Sequence, residues 1–319
     1  MTPPETEGAS APSACAARSS RPATDFAPSS PERENRSRAA PSLVGIAFGA
    51  AGAVAAGGLA WSLFEAQWVE LGQRDVPING LPPELDGLRV LHLSDFHLGT
   101  VSFNSRTLGR ALDWAAEREI DLVAVTGDLV SRRRGEPTLR RALGRLQGRY
   151  GTFAVLGNHD IAETRDPFAE AADLTGLERA GARLLEHEWA ELDIRGRRVR
   201  LFGADPRRRG EPLGSLAPEA ADADLRVLLT HFPDAVQGLP TGLFDLVLAG
   251  HLHGGQICIP SPGGKIHLEH VRAPYWEGLF DLPAGMLHVS RGLGTSFVPL
   301  RFLARPEATL LTLRANQEL

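Results

Sequence analysis

The chain has 319 residues, a formal net charge of −5 at pH 7, 43% hydrophobic residues and 23% charged ones. That acidic balance argues against a general nucleic-acid binder, which carries a basic surface, and the apolar content supplies a sizeable core. Lys265 is the one lysine, and the two cysteines, Cys15 and Cys258, support neither a disulfide framework nor a thiolate metal site. Any metal must therefore be held by nitrogen and oxygen ligands.

In chain order, residues 1–42 come first, rich in Pro, Ser, Ala and Arg. They hold too few large apolar residues to offset ordering entropy and are predicted to be disordered. Residues 43–64, LVGIAFGAAGAVAAGGLAWSLF, carry no charge. As a helix they would span roughly 33 Å, enough for a bilayer core. They read as a transmembrane anchor, with Trp61 and Trp68 suited to the membrane interface. The AVA at Ala53–Ala55 keeps a cleaved signal sequence open as the alternative. Arg33, Arg36 and Arg38 precede the span and only Arg74 follows closely, so the positive-inside rule places the large domain outside the cytoplasm. Residues 65–80 read as a linker, and 81–319 as a single domain.

Within that domain strand-like runs recur: LRVLHLS (88–94), DLVAVTG (121–127), GTFAVLG (151–157), RVRLFGA (198–204), LRVLLTH (225–231) and FDLVLAG (244–250). Several are almost continuously apolar, the mark of strands covered on both faces. Helical patterns at 104–118 and 166–180 lie between some of them, which predicts a layered α/β fold. Strands near 286–290 and 308–313 lack intervening helices, so part of the sheet is predicted to be antiparallel.

Polar residues gather just after these strands. Asp95 and His97 follow the first, Asp128 the second, and Asn158, His159 and Asp160 the third; His231 ends the fifth, and His251 and His253 follow the sixth. Each alone has an ordinary explanation, an Asp capping a turn or a His packed in a core. Their recurrence at five strand ends, where layered α/β folds build ligand sites, points to a metal site instead. Carboxylate, imidazole and amide oxygen suit Mn, Fe or Zn. Asp95, His97, Asp128, Asn158, His231, His251 and His253 make seven candidate ligands, too many for one tetrahedral ion. Two divalent metal ions sharing a carboxylate would use them all; such pairs lie about 3.5–4 Å apart, generate a hydroxide nucleophile and clamp a phosphoryl group.

The motifs D-x-H (Asp95, His97), G-D (Gly127, Asp128), G-N-H-D (Gly157 to Asp160), a lone His231 and G-H-x-H (Gly250 to His253) together resemble the calcineurin-like metallophosphoesterase superfamily. The flanking LPPELDGLRVLHLSDFHLG, LAGHLHGGQICIP and VSRGLGTSFVPLRFLARPE resemble a bacterial branch of membrane-associated or exported phosphoesterases, from about residue 81 to the C-terminus. The resemblance implies a four-layer αββα sandwich with mixed sheets and a two-metal site on one edge. It implies that Asp95, His97 and His253 hold one metal, that Asn158, His231 and His251 hold the other, and that Asp128 bridges them. His159 would face the phosphate as a catalytic residue, and Asp160 would orient His159. The implied reaction is in-line attack of hydroxide on a phosphodiester or phosphomonoester, with His159 assisting the leaving alkoxide. A pyrophosphohydrolase acting on a nucleotide-linked lipid precursor is the alternative; a catalytically silent scaffold is disfavoured, because no motif residue is missing. The expected partner is a phosphoester, with a lipid headgroup suggested by location alone. Arg132, Arg133 and Arg134 are weaker candidates for anion binding, more readily read as solvated surface. Arg291 is more readily part of a turn than of the pocket, and His267 and His270, which match no motif, read as surface or as residues packed just outside the ligands.

Overall fold

Period-two alternation sorts the apolar runs between two cores. In β2 (Arg89–Leu93), Val90 packs into one apolar cluster and Leu91 and Leu93 into another. In β3 (Leu122–Thr126), Leu122 and Ala124 likewise oppose Val123 and Val125. Both faces of these strands are covered, so the runs read as continuously apolar. The computed structural model describes residues 43–216, 219, 221–268 and 273–316. The tail expected to be disordered, residues 1–42, and His270 lie outside the described residues.

The first six-stranded sheet has the order β1-β14-β2-β3-β4-β5, with β1 at Glu70–Asn79, β4 at Thr152–Val155, β5 at Arg183–Leu184 and β14 at Glu307–Asn316. Strands β2 to β5 run parallel, while β14 is antiparallel to β2, as the helix-free C-terminal strands suggested. The second has the order β12-β13-β9-β8-β7-β6, formed by β6 (Glu188–Ile194), β7 (Arg197–Gly203), β8 (Leu225–Leu229), β9 (Leu246–Ala249), β12 (Gly278–Leu282) and β13 (Gly285–Val289). Its centre is parallel and its two edge strands, β6 and β12, pair antiparallel.

A central core joins the sheets face to face: Val90, Ala124 and Val155 of the first share a cluster with Leu201, Val227 and Leu248 of the second. On the outer face of the first sheet lie α2 (Asn104–Ala116) and α3 (Glu136–Leu143), through Leu108, Leu112, Leu139 and Leu143. The outer face of the second sheet is covered by Val236, Leu243 and Phe244, from 3-10 turns and loops. The fold is thus the expected mixed α/β sandwich, with a thin fourth layer.

Two segments depart from expectation. Residues 166–180 form turns with a single 3-10 turn at Glu178–Ala180 instead of an α-helix. Asp166 accepts from the Phe168 N–H at 3.0 Å and Asp173 from the Thr175 N–H at 3.1 Å, local bonds that compete with a helical ladder. Most of the stretch read as a linker, 65–80, is β1, paired with β14 from Glu70↔Glu307 to Asn79↔Asn316. An edge strand covers little of its length, and only Val76 and Ile78 are buried in it, so its apolar period is faint.

Helix α1 (Leu43–Glu65) contains one stretch, Ala47–Glu65, long and apolar enough to cross a membrane, with mean hydropathy 1.5. Its last turn is bonded to the sandwich: Arg301 N–H donates to Ser62 O at 3.1 Å and Ala304 N–H to the buried Glu65 carboxylate at 2.7 Å.

Beneath one end of the sandwich, His92 of the first sheet meets His288 of the second, Nδ1 to Nδ1, at 2.8 Å. His92 Nε2 continues to Thr126 Oγ1 at 2.9 Å. Burial, then the Arg74 and Arg291 charges, pushes the His288 pKa down to about 3, and burial holds His92 well below its ordinary value. Both rings are neutral when folded and gain a proton on unfolding, where imidazole titrates near 6.5. Their contribution is complete above that pH and is lost as pH falls towards 3. His288→Asn keeps a hydrogen-bonding side chain but no titration. Urea unfolding of the metal-stripped protein between pH 7 and 5 should therefore lose stability less steeply in the variant, by up to about 1.4 kcal/mol per pH unit. Parallel slopes would count against a neutral buried pair.

Candidate metal centre

The candidate ligands sit at the carboxyl ends of five strands, three in the first sheet and two in the second. Asp95 and His97 follow β2, Asp128 follows β3, Asn158 follows β4, His231 follows β8, and His251 and His253 follow β9. Bringing all seven side chains to one point costs backbone freedom. Asp95, His97, Asp128, His251 and His253 all adopt positive φ, 54°, 44°, 54°, 74° and 51°. For a non-glycine residue that conformation costs of order 1–3 kcal/mol, and such strain collects at functional sites. Two motif glycines are needed for close approach. A Cβ on Gly250 would collide with Ser94 Oγ and the Asp95 carboxylate, and one on Gly157 with the Asp128 side chain.

Besides a group of His97, Asp128 and His159, nitrogen and oxygen atoms converge in two further groups. Asp95, His97 and His253 form one, with His253 Nε2 3.3 Å from Asp95 Oδ1 and 3.0 Å from His97 Nε2. Asp128, His231 and His251 form the other, with His251 Nδ1 3.1 Å from His231 Nε2 and Asn158 Oδ1 at the same distance from that nitrogen. Asp128 lies between them: its Oδ2 is 3.4 Å from His97 Nε2 and 3.3 Å from His231 Nε2. The outer nitrogens are engaged. His231 Nδ1 donates to Thr126 O at 2.8 Å, and His97 Nδ1 is 2.9 Å from Ser131 Oγ. The inner nitrogens therefore face the carboxylates. This donor set fits hard to borderline divalent cations.

The electrostatics agree. Burial alone would raise both carboxyl pKa values. For Asp128 the neighbouring His231 and His97 outweigh it, and for Asp95 His253 and His231 do, so both stay ionised well below the usual range. Burial would lower His231, but the Asp128 carboxylate overrides it and pushes it up to about 9. His97 is held well below its usual value and His159 is lowered, both chiefly by burial.

His159 lies beside the centre, its ring 4.6 Å from that of His97 and edge-on to it. Its Nε2 is 3.2 Å from Thr164 Oγ1 and its Nδ1 3.5 Å from Ser131 Oγ. Among the described residues no hydrogen bond joins Asp160 to this ring, contrary to the orienting role expected. Asp160 is buried and accepts from Val130 N–H at 2.9 Å and Gly157 N–H at 2.8 Å, so it clamps the loop after β4 onto the loop after β3. Burial, then Asp128, pushes its carboxyl up to about 7. The Arg132–Arg134 run is structural in part: Arg132 pairs with Asp166 at 2.7 Å and Arg133 Nε donates to Ala171 O at 3.0 Å. Arg291 pairs with Glu307 at 2.6 Å and Glu70 at 3.0 Å, both outside the ligand set.

Three supporting residues stand outside the ligand motifs. Ser131 and Thr164 contact the rings of His97 and His159. Arg301 is wholly buried and donates to the carbonyls of Gly294 at 3.1 Å, Ala304 at 2.8 Å, Arg291 at 2.8 Å and His253 at 3.3 Å. Two cavities of about 420 and 440 Å³ open beside His231 and His251, both lined by Arg209, which stacks 4.0 Å over the Phe232 ring.

Residues 88–255 match the family described as calcineurin-like phosphoesterase. The chain belongs to that family. It is a metal-dependent phosphoesterase, a hydrolase of phosphoric ester bonds. It is 31% identical to the uncharacterized metallophosphoesterase YkoQ of Bacillus subtilis, over 76% of this chain and 87% of that one. It is 30% identical to the phosphodiesterase YaeI of Escherichia coli, over 70% and 82%. It is 29% identical to a zebrafish transmembrane protein with a metallophosphoesterase domain, over 75% and 56%. A solved dimetal phosphatase from zebrafish is similar over 71% of this chain and 99% of that one, at 11% identity and a TM-score of 0.42.

In the metal-free protein the His231 nitrogen facing Asp128 holds a proton below about pH 9, and a cation must displace it. Manganese binding followed by calorimetry should release protons, and affinity should rise by about tenfold per pH unit for each proton displaced. Affinity unchanged between pH 6 and 8 would remove His231 from the ligand set.

Proposed function

We propose that this phosphoesterase works with two divalent cations, one taken by Asp95, His97 and His253 and the other by Asn158, His231 and His251, with Asp128 shared. One observation carries the reading: Asp128 Oδ2 is almost equidistant from His97 Nε2 and His231 Nε2, at 3.4 and 3.3 Å. Bound there, such cations supply a hydroxide nucleophile at neutral pH and neutralise charge on the phosphoryl oxygens. His159 donates an N–H to the leaving oxygen, from a ring that Ser131 and Thr164 hold beside His97. Asp160 acts through the main chain, fixing the turn that carries Asn158 and His159.

The substrate is a phosphodiester or a phosphomonoester; the relative named phosphodiesterase favours the diester. Helix α1 anchors the chain in a membrane as a single pass, a reading supported by its length and apolarity and by relatives named transmembrane proteins. The arginines before α1 favour the extracytoplasmic side for the catalytic domain, where a lipid headgroup would be an available substrate.

Turnover of bis-p-nitrophenyl phosphate and of p-nitrophenyl phosphate, metal-stripped and after Mn²⁺ is restored, tests this. Asp128→Asn should lose metal and activity together. His159→Ala should keep its metal and lose about 10²–10⁴-fold in kcat. Full activity in the His159 variant would end its assigned role, and cleavage of the monoester alone would make the chain a phosphatase.

A further inference from the structure

We propose that the hairpin of β10 (Cys258–Ser261) and β11 (Gly264–His267), with the loop 297–303, forms an apolar rim that seats on the lipid surface beside α1. The metal centre would then open at the bilayer rather than towards bulk water. This rests on the reading of α1 as an anchor.

The hairpin is a two-stranded sheet separate from the sandwich. Its cross-strand pair Ile259↔Ile266 is 48% and 53% exposed, and Leu268 just beyond it is exposed too. Paired isoleucines on a free surface gain nothing from water; scattered single ones need no explanation, but a joined group does. In the loop bonded to the hairpin, Phe297, Val298 and Leu303 are exposed as well. Phe297 and Leu303 hold positive φ, 55° and 58°, conformations that bulky residues avoid. Their outward setting is therefore imposed by the surrounding structure.

Direct bonds join hairpin, loop and helix. Lys265 Nζ donates to Leu303 O at 2.9 Å, and Cys258 N–H to Phe302 O at 2.9 Å. Arg301 and Ala304 in turn bond Ser62 and Glu65 at the end of α1. That end carries exposed Phe64, Trp61 and Trp68, in mutual ring contact. Aromatic rings at this position suit a headgroup region. A chain held at Glu65 by a membrane helix therefore has its apolar rim a few bonds from the bilayer. Residues 257–268 and 295–304 contain no Asp or Glu, and the carboxylate that meets the hairpin, Glu277, is neutralised by Lys265 at 2.7 Å, so little negative charge opposes an anionic lipid surface. The rim also reaches the chemistry: the Phe297 ring is 6.0 Å from that of His159.

The test uses the full chain with Cys15→Ser, reconstituted in vesicles of phosphatidylcholine and phosphatidylglycerol. An environment-sensitive dye is attached at Ile266→Cys or, as control, at Arg198→Cys. Arg198 lies near the start of β7, at the opposite ends of the parallel strands from the metal centre; Cys258 is buried. The dye at 266 should shift to shorter wavelength and be quenched by spin-labelled lipid, and the dye at 198 should not. Ile259→Glu should abolish both changes while the chain stays with the vesicles and keeps its turnover of bis-p-nitrophenyl phosphate. Equal, weak quenching at both positions in vesicle-bound, active protein would overturn the rim and leave the anchor standing. Energy transfer between dyes at 266 without lipid quenching would make the partner a second copy and overturn it too. A chain that does not float with the vesicles would lose the anchor, and the rim with it.

Discussion

Two carboxylates, Asp95 and Asp128, are wholly or almost wholly buried and remain ionised, and the rest of the structure answers to that fact. Buried charge is tolerated only when opposite charge or strong donors surround it. In the metal-free chain the histidines meet that need in part, with His231 taking a proton it would not hold in so buried a place otherwise. A protonated histidine is a poor substitute for divalent cations, which neutralise both carboxylates and use the remaining imidazoles as neutral donors. The strained backbone at five candidate ligand positions has the same origin. Ligands arriving from opposite sheets can meet only if the loops turn sharply at the strand ends, and glycines such as Gly157 and Gly250 leave room for them.

The sandwich exists, in functional terms, to hold those loops against one another. The first sheet delivers Asp95, His97, Asp128 and Asn158, and the second His231, His251 and His253. A small slip between sheets would separate Asp128 from His231, whose nitrogen is 3.3 Å from its carboxylate. The apolar core fixes the spacing but is nondirectional. The His92–His288 contact, continued by Thr126, adds a directional tie between the sheets directly beneath the centre. His231 Nδ1 bonded to Thr126 O is a second such tie, running from the second sheet back to the first.

The candidate ligands were legible because metal chemistry restricts residue type and the fold restricts position: Asp, Asn and His after strands. The apolar runs were legible for a related reason, since strands covered on both faces have few alternatives. What was not legible obeys weaker rules. Asp160 stands next to His159 in sequence, but adjacent side chains in a turn diverge, and its carboxylate meets main-chain N–H groups instead. Residues 166–180 have helical spacing, yet Asp166 and Asp173 supply local turn bonds that spacing does not register. Strand β1 shows its period only at Val76 and Ile78, because an edge strand has little to bury.

Arg301 shows most clearly why a functional site extends past its motifs. An arginine in an apolar stretch gives no spacing to read, and its partners are mostly carbonyls, which every residue has, with His253 Nδ1 the one side-chain partner among the described residues, 3.2 Å from Nη2. Yet its guanidinium bonds both the His253 loop and the 291–294 loop, and Gly294 N–H in turn donates to Asp95 O at 2.7 Å. Burial lowers its pKa only to about 10, so it remains a cation beside the carboxylates. Its own N–H bonds Ser62 in α1. One residue therefore links a helix long and apolar enough to cross a membrane to a loop that carries a candidate ligand. The orientation of the metal centre relative to α1 is set by a short chain of hydrogen bonds, from Ser62 through Arg301 to His253, rather than by a flexible tether. Such a tether would let the domain sample all directions relative to α1; a bonded one restricts them.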